Sequence, residues 1–383
     1  MFFGIAIISL IVAWFIIFSS SNSTEQKTAD KKKFNFFGGK KTTLNIISKT
    51  GTGSGFFEEA CTEFMAKNPN IDIVFKGLGT FEAIDYINKD NDVDAWICAD
   101  ETGAAMLKEQ YSKEHQGKNI IEDSAPIVVT PLVLVGWDER LSKLSPNFEN
   151  ISISMLYDIV ATGKTWQSLG GDPNWGFVKF SHTDPIKSNS GVQFITLLIQ
   201  NFYERNNTSK KEIRVQDIAD EKIVEFVKEF ESNTAKQEEG SGKFMDSIIL
   251  YGPSRYDIGA NYEFYVLSNL KNAKGRWGKL RIIYPNPTIW SNRPFVILNG
   301  PKATKEKLEA CKKFKEYLLS ANVQQKAMQE GYRPANTAVS DISYLEKEYS
   351  QYGFKRIPPP DVPAPTPDVV QSIQAMIQRI RNQ

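Results

Sequence analysis

Two hydroxyl-rich loops, each running straight into a helical pattern, are the parts of this chain best suited to do chemistry. The first is Thr50-Gly51-Thr52-Gly53-Ser54-Gly55. It follows the apolar run 44–47 and leads into Phe56, Phe57, Ala60, Cys61, Phe64 and Met65 at helical spacing. The second is the stretch FSHTDPIKSNSGVQF, residues 180–194, in which Thr183, Asp184, Ser188, Asn189 and Ser190 precede a helical run. A helix N-terminus carries unpaired N–H donors and partial positive charge, so small or hydroxyl-bearing residues there suit an anion. Each loop alone also reads as ordinary structure: Ser54 as a plain N-cap, and 183–190 as a turn with capping residues.

The familiar nucleotide and catalytic patterns fail on spacing. Gly51, Gly53 and Gly55 give G-x-G-x-G, not the dinucleotide G-x-G-x-x-G, and Asp72 begins the next strand where a ribose-binding acid should end it. In ATGKT, residues 161–165, Asp158 stands where a P-loop needs its first glycine. Thr52 replaces the first glycine of a G-x-S-x-G elbow. His182 and Asp184 are too close in sequence to serve as base and orienter of a triad, so His182 reads as a packing or capping residue. No enzymatic role is expected, and no cofactor.

Composition narrows the classes further. The 383 residues carry a formal net charge of +1, which gives no global field for nucleic acid. Two histidines, and no paired-cysteine or Cys/His motif, leave no zinc pattern. Cys61, Cys98 and Cys311 sit among apolar neighbours and read as core thiols, with a Cys61–Cys98 disulfide as the alternative.

Positioning the two loops requires strands and helices in alternation. Strand-like 44–47, 71–75 and 95–99 alternate with helical 55–67, 80–89 and 101–110, the pattern of a mainly parallel sheet covered by helices. A second such block follows, with helices over 152–161, 190–204 and 217–231. Two apolar strands are interrupted by proline, at 126–137 and 280–290, and neither could sit undisturbed inside one sheet. They read as crossings between two lobes, 42–130 plus 290–342 and 131–289. The two hydroxyl-rich helix starts would then face each other across a cleft, one from each lobe. Tyr262 could join them or be a core tyrosine. Lys187, Arg255 and Arg293 could be charge partners or solvated surface. Residues 343–383 form a Pro-rich tail ending in a short helical pattern.

Residues 2–18 are uninterruptedly apolar or small, long for a signal-peptide core and short for a spanning helix. Residues 1–20 are expected to be a membrane anchor or a signal cut near Ser21, followed by a polar linker over 21–41. The lysines at 27, 31, 32, 33, 40 and 41 favour a cytoplasmic flank, against the export the rest of the chain suggests.

The stretches TGTGSGFFEEACTEF, WGFVKFSHTDPIKSNSGVQFI, YEFYVLSNL, IIYPNPTIWSNRPFVIL and EGYRPAN, in that order over 42–340, resemble bacterial extracellular solute-binding proteins. The resemblance is to the type II periplasmic-binding-protein-like group, the binding components of ABC importers, and within it to the molybdate- and phosphate-binding-like subgroup. It implies an α/β fold of two lobes joined by two hinge crossings, here preceded by the N-terminal hydrophobic helix. It implies a monomer that closes on a small polar or anionic solute, docks on an ABC permease, and faces the periplasm or extracellular side from the membrane. It places Gly53, Ser54, Thr183, Asp184, Ser188, Ser190 and Tyr262 on the cleft, with no metal. Arg293 stands where the family pattern has a histidine, and the Asp184 carboxylate would repel a bare oxyanion. The alternative is a membrane-anchored sensor or interaction protein that keeps the two-lobe fold and recruits a partner through its anchor and tail.

Overall fold

The computed structural model describes residues 41–49, 55–89, 91–208, 210 and 212–383. In chain order the first half holds β1 (Thr42–Ile47), α1 (Gly55–Lys67), β2 (Ile71–Lys76), α2 (Thr80–Asn88), β3 (Ala95–Ile97), α3 (Glu101–Glu114) and β4 (Ile121–Pro126). The second half holds β5 (Val128–Trp137), α4 (Asp138–Leu144), α5 (Ile153–Val160), β6 (Phe180–Ser181), α6 (Asn189–Arg205), α7 (Val215–Ile218), α8 (Glu221–Glu231) and α9 (Ser241–Tyr251). It continues with β7 (Ile258–Tyr262), α10 (Glu263–Lys274), β8 (Leu280–Ile283) and β9 (Trp290–Ser291). The chain then returns through β10 (Pro294–Leu298), α11 (Lys305–Leu318), α12 (Ala321–Gln329) and β11 (Arg333–Pro334), and ends in α13 (Ser343–Tyr349) and α14 (Pro367–Arg381). The expected anchor over 1–20 and the linker up to residue 40 lie outside the described residues. Among the described residues no helix is long and apolar enough to cross a membrane.

The strands form two sheets, β2-β1-β3-β10-β4 and β11-β5-β7-β6, with β8 and β9 also on β5. The expectation of a mainly parallel sheet needs correction. β1 pairs parallel with β2 and β3, but β10 runs antiparallel between β3 and β4. In the second sheet β5 is antiparallel to β7, β8, β9 and β11, and only β6 and β7 are parallel. Hydrophobic periodicity carries no strand direction, and a strand entering from the other half can run against its new neighbours. The near-continuous apolar run of β5 is explained by partners along both edges and burial on both faces.

The chain changes sheets twice, at adjacent places. Pro126 pairs with Pro294 in the first sheet, and Val128 pairs with Pro334 in the second. Ser291 pairs with Thr130 in the second sheet, just before Pro294 enters the first. The two crossings are bonded to each other, Ile127 N donating to Arg293 O at 3.2 Å. Arg293 adopts φ 24°, a left-handed-side conformation that costs a non-glycine residue energy.

Apolar spacing explains which faces pack. On α8, Ile223, Val224, Phe226, Val227 and Phe230 form one buried stripe. Helix α6 is buried on every side from Asn189 to Asn201, as befits a helix enclosed by the second sheet, α5, α8 and α14. All three cysteines are free thiols in the core, so the disulfide alternative does not hold. Burial pushes the Cys311 thiol up to about 12.

One ion pair closes the back of the second half. The Arg333 guanidinium donates to both carboxylate oxygens of Glu263, at 2.7 and 2.9 Å, and Glu263 is fully buried. Tyr284 also donates to Glu263, and Arg333 donates to the carbonyls of Lys355 and Arg356 in the tail. Removing one partner of such a pair strands a buried charge. Glu263→Ala should therefore cost about 3–5 kcal/mol in urea unfolding, while the double replacement Glu263→Leu/Arg333→Met should recover most of it. A single-variant loss below about 1 kcal/mol would show the pair to be dispensable.

Candidate functional site

Strand ends and helix starts meet between the two halves, and a cleft of about 520 Å³ opens there. The first half contributes Lys49 after β1, the start of α1 at Gly55 and Phe56, the α2 start at Gly79 and Thr80, and Trp96 of β3. The second contributes Ser188, Asn189 and Ser190 at the start of α6, and Gly240, Ser241 and Lys243 at the start of α9. Tyr262, Phe264 and Tyr265 line it from the start of α10, and Arg293 and Tyr332 from the return path.

Two of these helix starts, on α6 and α9, have no side-chain cap, whereas Glu82 accepts from Gly79 N at 3.4 Å at the α2 start and Thr130 Oγ1 from Phe264 N at 3.3 Å at the α10 start. The α5, α8 and α11 starts, by contrast, are capped by Ser152, Asp220 and Thr304. Missing caps occur elsewhere too, on α12 and α14, so the weight lies on convergence of helix starts upon one space. Each start presents backbone donors and the positive end of a dipole.

The α6 start is held by a relay of hydroxyls. Ser190 Oγ lies 2.7 Å from Thr183 Oγ1, 2.8 Å from Ser241 Oγ and 3.2 Å from Ser188 Oγ, tying α6 to α9. Gly191 is required here, because a Cβ on it would sit 2.2 Å from the Thr183 carbonyl oxygen. Asn189 Nδ2 donates to Asp100 Oδ2 at 2.7 Å and to Tyr262 OH at 3.0 Å. Gln193 Nε2 adds a bond to the same Asp100 oxygen at 3.0 Å. Asp100 caps α3 through Gly103 N at 3.1 Å, so one carboxylate joins the halves. Its burial raises its pKa against these stabilising donors.

The cleft's cations are crowded. Glu239 bridges Lys187 and Lys243. Lys49 Nζ lies beside both Gly79 and Gly240, one from each half. Burial first, and then Lys243, lower the Lys49 pKa, while Glu82 and Glu239 oppose them. Arg293 is buried, with its guanidinium 5.5 Å from the Phe264 ring centre.

The residues expected at the site divide into three groups. Ser188, Ser190 and Tyr262 line the cleft. Thr183 and Asp184 do not: Thr183 is fully buried beneath Ser190, and Asp184 turns away to pair with Arg381 at 3.0 Å. Gly53 and Ser54 lie outside the described residues, next to Gly55. Of the three charge candidates Lys187 and Arg293 line the cleft, and Arg255 instead lies over the Tyr251 ring. Asp100, Asn189, Lys49 and the Gly240-Ser241 start were not singled out as ligand residues. The only signals for them were an aspartate ending a strand before a helix, and a Gly-Ser pair opening one.

His182 sits behind the α6 loop, with Nδ1 2.8 Å from Thr183 O and Nε2 2.6 Å from Glu231. Burial alone would raise the Glu231 pKa, but His182 and Gln237 outweigh it and the pKa is lowered. A lowered carboxylate stabilises the fold above its unfolded value of about 4.3 and loses that contribution as pH falls through the folded value. The stability gap between the wild type and Glu231→Gln should therefore narrow from about pH 5 to about pH 3. A constant gap in acid unfolding curves would remove this pair as the cause.

A search among curated proteins gives no significant match. The fold is shared with solved structures of low sequence identity. A periplasmic thiamin binding protein superposes with TM-score 0.61 at 15% identity, covering 89% of this chain and 96% of that one. The periplasmic binding protein AfuA from Actinobacillus pleuropneumoniae, with fructose-6-phosphate bound, gives 0.57 at 14% over 90% and 99%. An ABC transporter solute binding protein from Thermotoga lettingae TMO, bound with α-D-tagatose, gives 0.57 at 11% over 89% and 93%. Residues 44–333, well over half of the chain, match the family model for bacterial extracellular solute-binding proteins, and the chain belongs to that family.

Proposed function

We propose that this protein captures an organic anion between its two halves on the outer side of the cytoplasmic membrane and delivers it to an ABC-type permease. The observation that carries the reading is the convergence of helix starts from both halves, those of α6 and α9 without a side-chain cap, on one cleft where Lys49, Lys187, Lys243 and Arg293 stand against Glu239, Asp246 and Glu330. Backbone donors and ammonium groups together favour a negatively charged group. The volume, about 520 Å³, falls in the ordinary range for small-molecule sites, and a bare tetrahedral oxyanion would leave most of it to water. Trp96, Phe264, Tyr265 and Tyr332 offer the rest of the solute an aromatic wall. Asp184 no longer argues against an anion, since it faces Arg381. Residues 2–18 would supply the export signal, retained as an anchor or cut. Closure would turn on the paired crossings at Ile127 and Arg293.

The sensor alternative has the anchor and the tail recruit a partner. The apolar residues of α14, Val369, Val370, Ile373, Met376 and Ile377, are buried against the protein's own body, which favours the solute-binding reading.

Thermal melting with three probes tests the proposal. Glucose 6-phosphate should raise the melting temperature most, inorganic phosphate less, and glucose not at all. Lys49→Met should weaken glucose 6-phosphate binding by about ten- to a hundredfold, the loss of one bond to a charged group. No response to either phosphate, or equal response to glucose and its phosphate, would overturn it.

A further inference from the structure

The segment beyond residue 357 lies outside the family match, yet it reaches the hinge and the back of the α6 loop. Its extended part pairs with the return crossing: Thr288 N donates to Pro360 O at 3.0 Å, and Val362 N to Thr288 O at 2.9 Å. Thr288 is fully buried and donates in turn to Leu132 O of β5 at 3.1 Å. The first turn of α3 is caught next, Thr102 Oγ1 donating to Pro365 O at 2.9 Å. Helix α14 then packs on α3 of the first half and on α6, α7 and α8 of the second.

Its polar residues grip the turn that precedes α6. Gln374 Nε2 donates to Pro185 O at 3.4 Å and Ile186 O at 3.2 Å. Arg381 pairs with Asp184 at 3.0 Å and donates to Gln237 Oε1 at 2.6 Å. Asp184 is the centre of that turn: its side chain accepts from Ile186 N at 3.0 Å, and its carbonyl from Lys187 N at 3.0 Å and Ser188 N at 2.8 Å. The opposite side of the same turn presents Ser188, Asn189 and Ser190 to the cleft.

We propose that Gln374 and Arg381 are positioning residues for solute binding, acting through Asp184 and the 184–188 turn to aim the α6 start into the cleft. The tail thereby joins the hinge crossing to the binding loop by a covalent path. The part that concerns the solute rests on the anion-binding reading of the cleft. Beyond its local bonds the turn is tied at Asp184 N to Glu238 O at 2.9 Å and at Lys187 to Glu239, while the Pro185 and Ile186 carbonyls between them are held by Gln374; without α14 that middle part would be less constrained and the aim of the α6 donors less defined.

Amide hydrogen exchange on the full chain, with calorimetry against glucose 6-phosphate, tests this. In Gln374→Ala/Arg381→Ala the amides of Lys187 and Ser188 should exchange about tenfold faster, while those of β1 and β3 stay unchanged. Affinity for the probe should fall about tenfold, and Arg381→Lys alone should restore most of both effects relative to Arg381→Ala. Unchanged exchange at 187 and 188 would overturn the positioning role, and faster exchange with unchanged affinity would sever it from binding. If the wild type binds neither glucose 6-phosphate nor inorganic phosphate, the anion reading itself falls, and the exchange result alone decides what α14 does to the turn.

Discussion

A carboxylate taken out of water is tolerated only when its oxygens are fully engaged, and the arrangement between the two sheets follows from satisfying one such group. Asp100 lies between β3 and α3 in the first half and caps α3, but it also accepts side-chain hydrogen bonds from Asn189 and Gln193 on α6 in the second. Those donors lie one helical turn apart on the same face, so the acceptor fixes both the approach and the rotation of α6. Asn189 is then committed to Tyr262 as well, which sets the start of α10 beside that of α6. A polar contact at this point gives what an apolar one would not: a defined direction for two helix axes relative to a strand end.

The two crossings follow a similar economy. They are bonded to each other, so under the proposed closure a rotation about Ile127 and Arg293 would not need to break the sheets on either side. The left-handed-side backbone of Arg293 concentrates strain at the single residue that also carries a buried cleft cation. If the halves close as proposed, motion and cleft charge would share a residue, because the guanidinium's direction depends on the backbone angle that closure would alter.

Much of this was legible before any coordinates. The helices expected over 55–67, 101–110 and 190–204 and the two proline-interrupted strands followed from spacing alone, because amphipathic stripes and proline geometry act locally, although the second helix runs on to Glu114. Ser188, Ser190 and Tyr262 were legible for the same reason, each lying at an element boundary. Strand direction was not, since β5 meets its partners far away in sequence. Nor was the outward turn of Asp184, which depends on Arg381, or the bridging role of Asp100, which depends on Asn189. These residues were visible as types, but their partners lie tens to hundreds of positions away, and no local rule pairs them. The tail was legible as Pro-rich with a short terminal helical pattern; that it pairs with the return path follows only from the backbone bonds to Thr288.

The distance along the chain between Gln374 and the turn it holds, 189 residues to Pro185, has a consequence for how the protein is made. A chain emerging N-terminus first completes the second sheet with β11 before α14 follows. Until that helix appears, the 184–188 turn lacks its bonds from Gln374 and Arg381, while Ser241 and Asp100 already hold the α6 start. The turn behind the cleft is therefore among the last parts of the described fold to gain its contacts.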